Sequence, residues 1–143
     1  MNVTLVPYGS LTRFLPMLYP HFVTSEIWSH GRAEVDDIVG FLYSGRMQLW
    51  VFFAGDKETP ELAGHMITEV KDYPRCKMLV LQYCAAETGT MEPIEGAMHE
   101  TLERFAKDMG CKGIEFVGRP GWARSAKAHG YTSKTITYEK FFE

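Results

Sequence analysis

"IEGAMHETLERFAKDMGCKGIEFVGRPGWARSAKAHGY" (94–131) decides how this chain is read. Ile94, Met98, Leu102, Phe105 and Met109 fall on one stripe at helical spacing, and Gly110 stands where a C-terminal cap belongs. "CKGIEFVG" (111–118) then has the look of a strand, and "WARSAKAHG" (122–130) that of a short helix ending at Gly130. Between them, Gly118 and Gly121 around Pro120 permit a sharp strand-to-helix turn, with Trp122 placed to staple it to the sheet edge. Helix, strand, tight joint and helix in this order belong to an α/β domain, whose sheet the flanking sequence has to supply.

Upstream, "MQLWVFFAG" (47–55) is a near-continuous apolar run and predicts a buried strand. "LAGHMITEVKDY" (62–73) and "KMLVLQYCAA" (77–86) predict two more, joined through Pro74-Arg75-Cys76 as an antiparallel meander. "RAEVDDIVGFLYSGR" (32–46) opens with acids, ends near Gly45 and carries Val35, Ile38, Val39, Phe41 and Leu42 on one face, a helix of about three turns. "LTRFLPMLYPHFVTSEIW" (11–28) is apolar at helical spacing, but Pro16 and Pro20 should break or kink it into a short helix or two pieces. "NVTLVPY" (2–8) alternates as a first strand and "YTSKTITYEKFF" (131–142) as a last one. The expected architecture is one α/β (α+β) domain over residues 1–143, in the order β-α-α-β-β-β-α-β-α-β, with a mixed, mainly antiparallel six-stranded sheet and helices on both faces.

The length of 143 residues suits one domain with a real core, and 45% apolar residues indicate an ordered chain. A net charge of −3 without a run of five basic residues gives no reason to expect nucleic-acid binding. Cys76, Cys84 and Cys111 are odd in number and lack metal-type spacing, so they are expected to be reduced core thiols in a cytoplasmic protein that holds no metal. No apolar run approaches the length of a membrane span, and no signal-peptide pattern opens the chain, so neither a membrane protein nor a secreted one is expected.

The element order resembles that of the GNAT superfamily of N-acetyltransferases over nearly the whole chain. The resemblance is sharpest over residues 96–131, where "ETLERFAKDMGCKGIEF" looks like the superfamily's long third helix and fifth strand, and "ARSAKAHGY" like its short fourth helix with a Gly-aromatic exit. "GIEFVGRPGW…HGY" looks in particular like small GNAT-like proteins of tailed bacteriophages, which implies a host cytoplasm or a virion as the setting. The superfamily resemblance implies acetyl-CoA lying where the fourth and fifth strands splay apart, its pyrophosphate held by an Arg/Gln-x-x-Gly-x-Gly/Ala loop at the start of the third helix. Free N–H groups and the positive dipole end of a helix suit that task.

This sequence departs from that pattern twice. The loop should fall on "MEPIEG" (91–96), where only Gly96 matches; Met91 replaces Arg or Gln, Ile94 replaces the first Gly, and Glu92 and Glu95 add negative charge. No Arg or Lys occurs between Lys77 and Arg104, so no shift of register restores the motif. The superfamily's thiolate-protonating Tyr should fall near Ala126, with Ser125 and Lys127 as poor substitutes; Tyr131 follows the helix and is expected in the core.

The remaining candidates each have a plain structural alternative. Glu69 shares a strand face with His65 at i, i+4 and could act as general base for an amine, or lie at a solvent-facing edge. Glu87, at the end of the fourth strand, is a second candidate base. Gln82 and Tyr83 could line a cleft, with Tyr83 better suited to packing. Cys84 has no neighbouring base that would make it a nucleophile. Arg119 and Arg124 could supply the phosphate charge that the loop lacks, or Arg119 could anchor Glu115 or Glu87 of its own fold. Trp28, Trp50 and Trp122 with Phe22, Phe41 and Phe52 could leave an apolar patch for a partner, most readily around "FLPMLYPHF" (14–22).

Two functions are compatible with these residues. One is a noncatalytic GNAT-like protein without cofactor, acting through protein contacts in a phage virion, in assembly or on a host target. The other is an acetyl-CoA-dependent N-acetyltransferase of a primary amine with an atypical cofactor site, using Glu69 or Glu87 as base and a fourth-strand N–H to polarise the carbonyl. Either is compatible with a homo-oligomer.

Overall fold

A computed structural model describes residues 2–55, 58, 61–86, 91–118 and 120–142. Strands β1 (Asn2–Leu5), β2 (Gln48–Ala54), β3 (Glu61–Asp72), β4 (Lys77–Ala86) and β5 (Gly113–Phe116) form one sheet in the spatial order β1-β2-β3-β4-β5. The first three pairings are antiparallel and β4–β5 is parallel. Helices α1 (Leu11–Trp28) and α2 (Val35–Tyr43) precede β2, α3 (Met91–Asp108) crosses from β4 to β5, and α4 (Ala123–Ala128) follows β5.

The two faces of the sheet carry separate cores. Leu49, Val51, Phe53 and Ile67 turn toward Leu18 and Phe22 of α1 and Ile38 and Leu42 of α2. Trp50, Phe52, Met66, Leu79 and Leu81 turn the other way, toward Ile94, Met98, Leu102 and Ala106 of α3. The near-continuous apolar run of β2 is therefore a strand covered on both sides.

α1 is one continuous helix of 18 residues, not a short helix or two pieces. Pro16 and Pro20 are exposed and i, i+4 apart, so the carbonyls they leave unpaired sit on the wet face. The opposite face buries Leu11, Leu18, Phe22 and Ser25. Burying Leu11, Leu18 and Phe22 yields about 1.5–3 kcal/mol each, comparable in sum with two interior prolines at about 3 kcal/mol each. α2 starts at a capping box between Glu34 and Asp37, and Gly45, with φ 78°, follows its end.

The expected sixth strand is absent, and so the element order stops at α4 rather than closing with a strand. Residues 131–142 have no strand structure, and 132–142 are exposed. Their alternation is genuine, but period-2 patterning yields a strand only where an edge pairs with it. The strand-to-helix corner is a packed joint. A Cβ on Gly118 would lie 3.0 Å from the Phe116 ring and 3.2 Å from Trp122 Cβ, so any larger residue would have to push these rings aside. Trp122 meets Phe116 edge to face at 6.3 Å, the staple that the sequence implied.

Candidate functional site

β4 carries the feature on which a cleft depends. Ile67 faces Tyr83 and Thr68 faces Leu81, which leaves Gln82 as an extra residue, a β-bulge in β4. β5 pairs with β4 only from Met78–Gly113 to Leu81–Phe116. From the bulge to Ala86, β4 keeps β3 as its neighbour but no longer pairs with β5, whose last strand residue is Phe116, so the β4/β5 ladder opens beyond residue 81. Residues 82–86 are half-buried there, and α3 starts at Met91 beyond them.

The side chains around this opening are engaged with one another. Glu69 Oε2 accepts from Arg46 Nε at 3.0 Å, and Glu69 Oε1 accepts from Gln82 Nε2 at 2.9 Å. Arg46 in turn lies over the Phe41 ring, 4.5 Å from its centroid. The candidate base and a candidate cofactor contact are thus each other's partners, in a network that ties α2 to β3 and β4. Tyr83 packs against the α1/α2 core, and its phenol is pushed up first by burial and then by the nearby Asp37 and Glu69 carboxylates. Cys84 donates to Met98 Sδ at 3.9 Å, on the α3 side.

His65 shares the face of Glu69 but is fully buried beneath α1. Its Nε2 lies 3.3 Å from Ser25 Oγ, and its ring meets Phe22 edge to face at 4.8 Å. Burial, helped by the adjacent His21, lowers its pKa to about 3, so it is a neutral core imidazole at physiological pH.

Gly96 does not sit in an anion-binding loop. It lies inside α3, exposed, without a positive φ and with nothing close to the position of a Cβ. Residues 91–96 are already helical, so the segment expected to wrap a pyrophosphate is spent on the first turns of α3. Arg124 is exposed on α4. Glu87 and Arg119 lie outside the described residues, as does the side chain of Trp28. Of the other residues named for an apolar patch, Phe22, Trp50 and Phe52 are buried. The exposed apolar side chains near "FLPMLYPHF" are instead Met17, Tyr19, Val23 and Ile27, on the outer face of α1.

A second polar cluster, which the sequence reading did not single out, lies where α3 meets α4. His99 and His129 stack with ring centroids 4.1 Å apart, and Tyr131 lies 5.4 Å from His99 and 5.1 Å from Phe116. Both ring nitrogens of His99, Ser125 Oγ and Tyr131 Oη are buried without a hydrogen-bond partner among the described residues. Burial and then His129 lower the His99 pKa to about 4, and burial with Glu103 pushes Tyr131 up to about 12. The signal available in the sequence was that His99 follows the stripe residue Met98 and faces inward with it.

Among the described residues, the opening turns of α3 carry none of the positive charge required to hold the acetyl-CoA that such a fold implies. β4 is unpaired with β5 beyond Leu81, but α3 opens with acidic rather than basic residues, and Gln82 is already bound. A dinegative pyrophosphate does not fit this donor set. An apolar hollow of about 180 Å³, lined by Thr4, Val6, Phe14, Val51 and Phe53 among others, lies at the β1 edge and not at this opening. No helix is long and apolar enough to cross a membrane, and no group of three or more metal-ligating side chains occurs, among the described residues.

No protein-family profile matches the chain, and no curated protein sequence matches it. Solved structures do. A probable acetyltransferase superposes with a TM-score of 0.71 at 10% identity, covering 100% of both chains. A predicted acetyltransferase from Clostridium acetobutylicum, solved with acetyl-CoA, gives 0.67 at 12% identity over 98% of this chain and 95% of its own. An aminoglycoside acetyltransferase from an uncultured soil metagenomic sample, in complex with sisomicin, gives 0.68 at 11% over 99% and 95%. The fold is therefore that of the GNAT acetyltransferases. At this level of identity the likeness extends to the fold alone.

Proposed function

We propose that this protein keeps the GNAT fold without its acetyl-transfer chemistry and acts through protein–protein contacts, in the phage virion, assembly or host-directed setting that the sequence resemblance implies. The observation that carries this reading is the mutual engagement of Glu69 and Gln82, with Arg46 on the second carboxylate oxygen. A carboxylate held by a guanidinium on one oxygen and an amide on the other is oriented toward those partners, whereas a general base has to be aimed at its substrate. The acidic opening of α3 supports the same reading. The outward apolar face of α1, with Met17, Val23 and Ile27, offers surface suited to a protein partner.

A second reading is favoured by one observation, the bulge at Gln82 followed by the end of the β4–β5 pairing. These leave backbone open where an acetyl-CoA-dependent N-acetyltransferase would need it. Thermal unfolding with and without millimolar acetyl-CoA separates the two. Ligand at a hundred times its dissociation constant stabilises by about 2.7 kcal/mol, several degrees for a domain of this size. The noncatalytic reading expects no shift. A shift of several degrees overturns it, and Glu69→Gln then tests the base directly through turnover of an amine acceptor.

A further inference from the structure

β1 forms the opposite edge of the sheet, and on its outer side it has no partner strand among the described residues. Sheets commonly guard such an edge with charged side chains, but Asn2–Leu5 carry none, and only Pro7 stands near its end. The Val6 N–H donates to the Leu49 carbonyl at 2.8 Å, so Val6 turns its backbone toward β2. Bonding alternates along an antiparallel pair, and the register sets Thr4 against Val51 and Leu5 against Trp50. Thr4 therefore also turns its backbone to β2, whereas the N–H and C=O groups of Val3 and Leu5 point outward along the open edge.

The apolar hollow lies at this same edge. Thr4, Val6, Val51 and Phe53 line it from the sheet and Phe14 from α1, and no lining side chain is charged. Its volume of about 180 Å³ exceeds the roughly 150 Å³ in which an apolar cavity takes up benzene. Edge and hollow are in register. A strand laid antiparallel on β1 would exchange backbone hydrogen bonds with Val3 and Leu5. Its residue opposite Thr4 would then form a non-hydrogen-bonded pair, the two Cβ atoms about 4.5–5.5 Å apart and both on the face of Val51. That is the face on which Phe14 packs and the hollow lies.

We propose that the β1 edge binds an extended, uncharged peptide segment of a partner protein, added as an antiparallel strand with one phenylalanine side chain seated in the hollow opposite Thr4. The outward groups of Val3 and Leu5 supply affinity and register, and the hollow supplies the preference for an aromatic ring. A charged side chain at that position would be desolvated among apolar neighbours without a partner. The pairing ends at Leu5, because the next outward-facing residue, Pro7, has no N–H. The proposal rests on the reading of this protein as one that acts through protein contacts, and gives that reading a surface and a partner chemistry.

The test is an NMR titration of the isotope-labelled full chain with a blocked five-residue peptide, four threonines around a central phenylalanine. Saturable shifts are expected at the Val3 and Leu5 amides and at the Val6 and Val51 methyls. The same peptide with a central alanine should bind at least about tenfold more weakly. Leu5→Pro removes an outward donor and no β1–β2 bond, and Thr4→Phe fills the hollow from the chain's own side. Each should abolish the shifts while circular dichroism and the melting temperature stay those of the parent; should one variant fail to fold, the other decides. The absence of saturable shifts at this edge overturns the proposal, as does equal binding of the alanine peptide. Binding that survives a folded Leu5→Pro or Thr4→Phe variant overturns it too, and so do β1 shifts that grow with protein concentration alone, the mark of a second copy on the edge. The acetyl-CoA melt reports on the β4/β5 opening and this titration on β1, so failure of one is distinguishable from failure of the other.

Discussion

Two polar clusters flank the end of the sheet where β4 and β5 no longer pair, and they are built in opposite ways. Arg46, Glu69 and Gln82 satisfy one another across the α2–β2 turn, β3 and β4. His99, Ser125, His129 and Tyr131 crowd together where α3 meets α4, with four buried polar atoms unpartnered among the described residues. The first arrangement fixes elements against each other and leaves little free for chemistry. The side chains of the second meet through ring packing and carry a desolvation cost, because a buried polar atom without a partner is penalised by about 1–3 kcal/mol. The Arg46–Glu69–Gln82 network is a strut, whereas four of the five buried side-chain polar atoms without a partner among the described residues gather at the second cluster, the fifth being His65 Nδ1 beneath α1.

The largest expected effect lies under the first region. Phe22 is fully buried in α1 and forms one wall around His65. Phe22→Ala should cost about 3–5 kcal/mol in denaturant unfolding. A loss below about 1 kcal/mol would show that α1 is not the firmly packed side, and the contrast between the regions would fail.

Acid should act on both regions, more strongly on His65. Its folded pKa, about 3, lies below the ordinary histidine value of 6.5, so on acidification the unfolded chain takes up a proton before the native one does. The stabilisation is fully present above about pH 6.5 and declines as pH falls toward 3, at up to about 1.4 kcal/mol per pH unit. His99, at about 4, titrates in the same sense over a narrower window, with Glu95 and Glu103 pulling against burial and His129. His65→Leu should flatten the melting-temperature profile between pH 6 and 4 more than a His99 substitution does. Equal flattening would mean that the two histidines are equally enclosed.

The body of this fold was legible because its signals are local and redundant. The β2 run, the α3 stripe with Gly110, and Gly118 beside Trp122 each point to one structure, and the structure agrees. α1 was misread as broken because a proline's cost is visible in sequence, whereas the burial of Leu18 and Phe22 that offsets it is tertiary. The sixth strand was misread because Thr135-Ile136-Thr137-Tyr138 has the pattern of a strand, but a pattern does not supply an edge. At the site, Glu69 could be placed on a face by counting. That its partners would be Arg46, 23 residues away, and Gln82, 13 away, was invisible, since nothing local encodes a contact between elements.

A ring swap at the second cluster tests the contrast with the opposite sign. His99→Phe keeps the packing against His129 and Tyr131 and deletes two buried nitrogens that have no partner. It should be neutral or stabilise by about 1 kcal/mol, because replacing unsatisfied polar atoms by apolar ones of the same shape removes a penalty. A loss of 2 kcal/mol or more would mean that His99 has a partner in solution, and the second cluster would then be as closed as the first.

The smallest effect falls on the first network. Glu69→Gln removes the charge that Arg46 meets while leaving an oxygen for the Gln82 amide to reach. Arg46 is more than half exposed, so the ion pair is screened by water and the expected loss is about 0.5–1 kcal/mol. Raising the salt concentration should shrink the difference between variant and parent, as it does for any pair that water reaches. A salt-independent loss of several kcal/mol would place Glu69 in a drier setting than its 12% side-chain exposure implies. It would also mean that the carboxylate anchors β3 and β4 directly, with the guanidinium as a bystander. The modest, salt-sensitive value is the one that follows from a strut at the rim of the β4/β5 opening, stiff enough to occupy the carboxylate and too wet to dominate the stability of the fold.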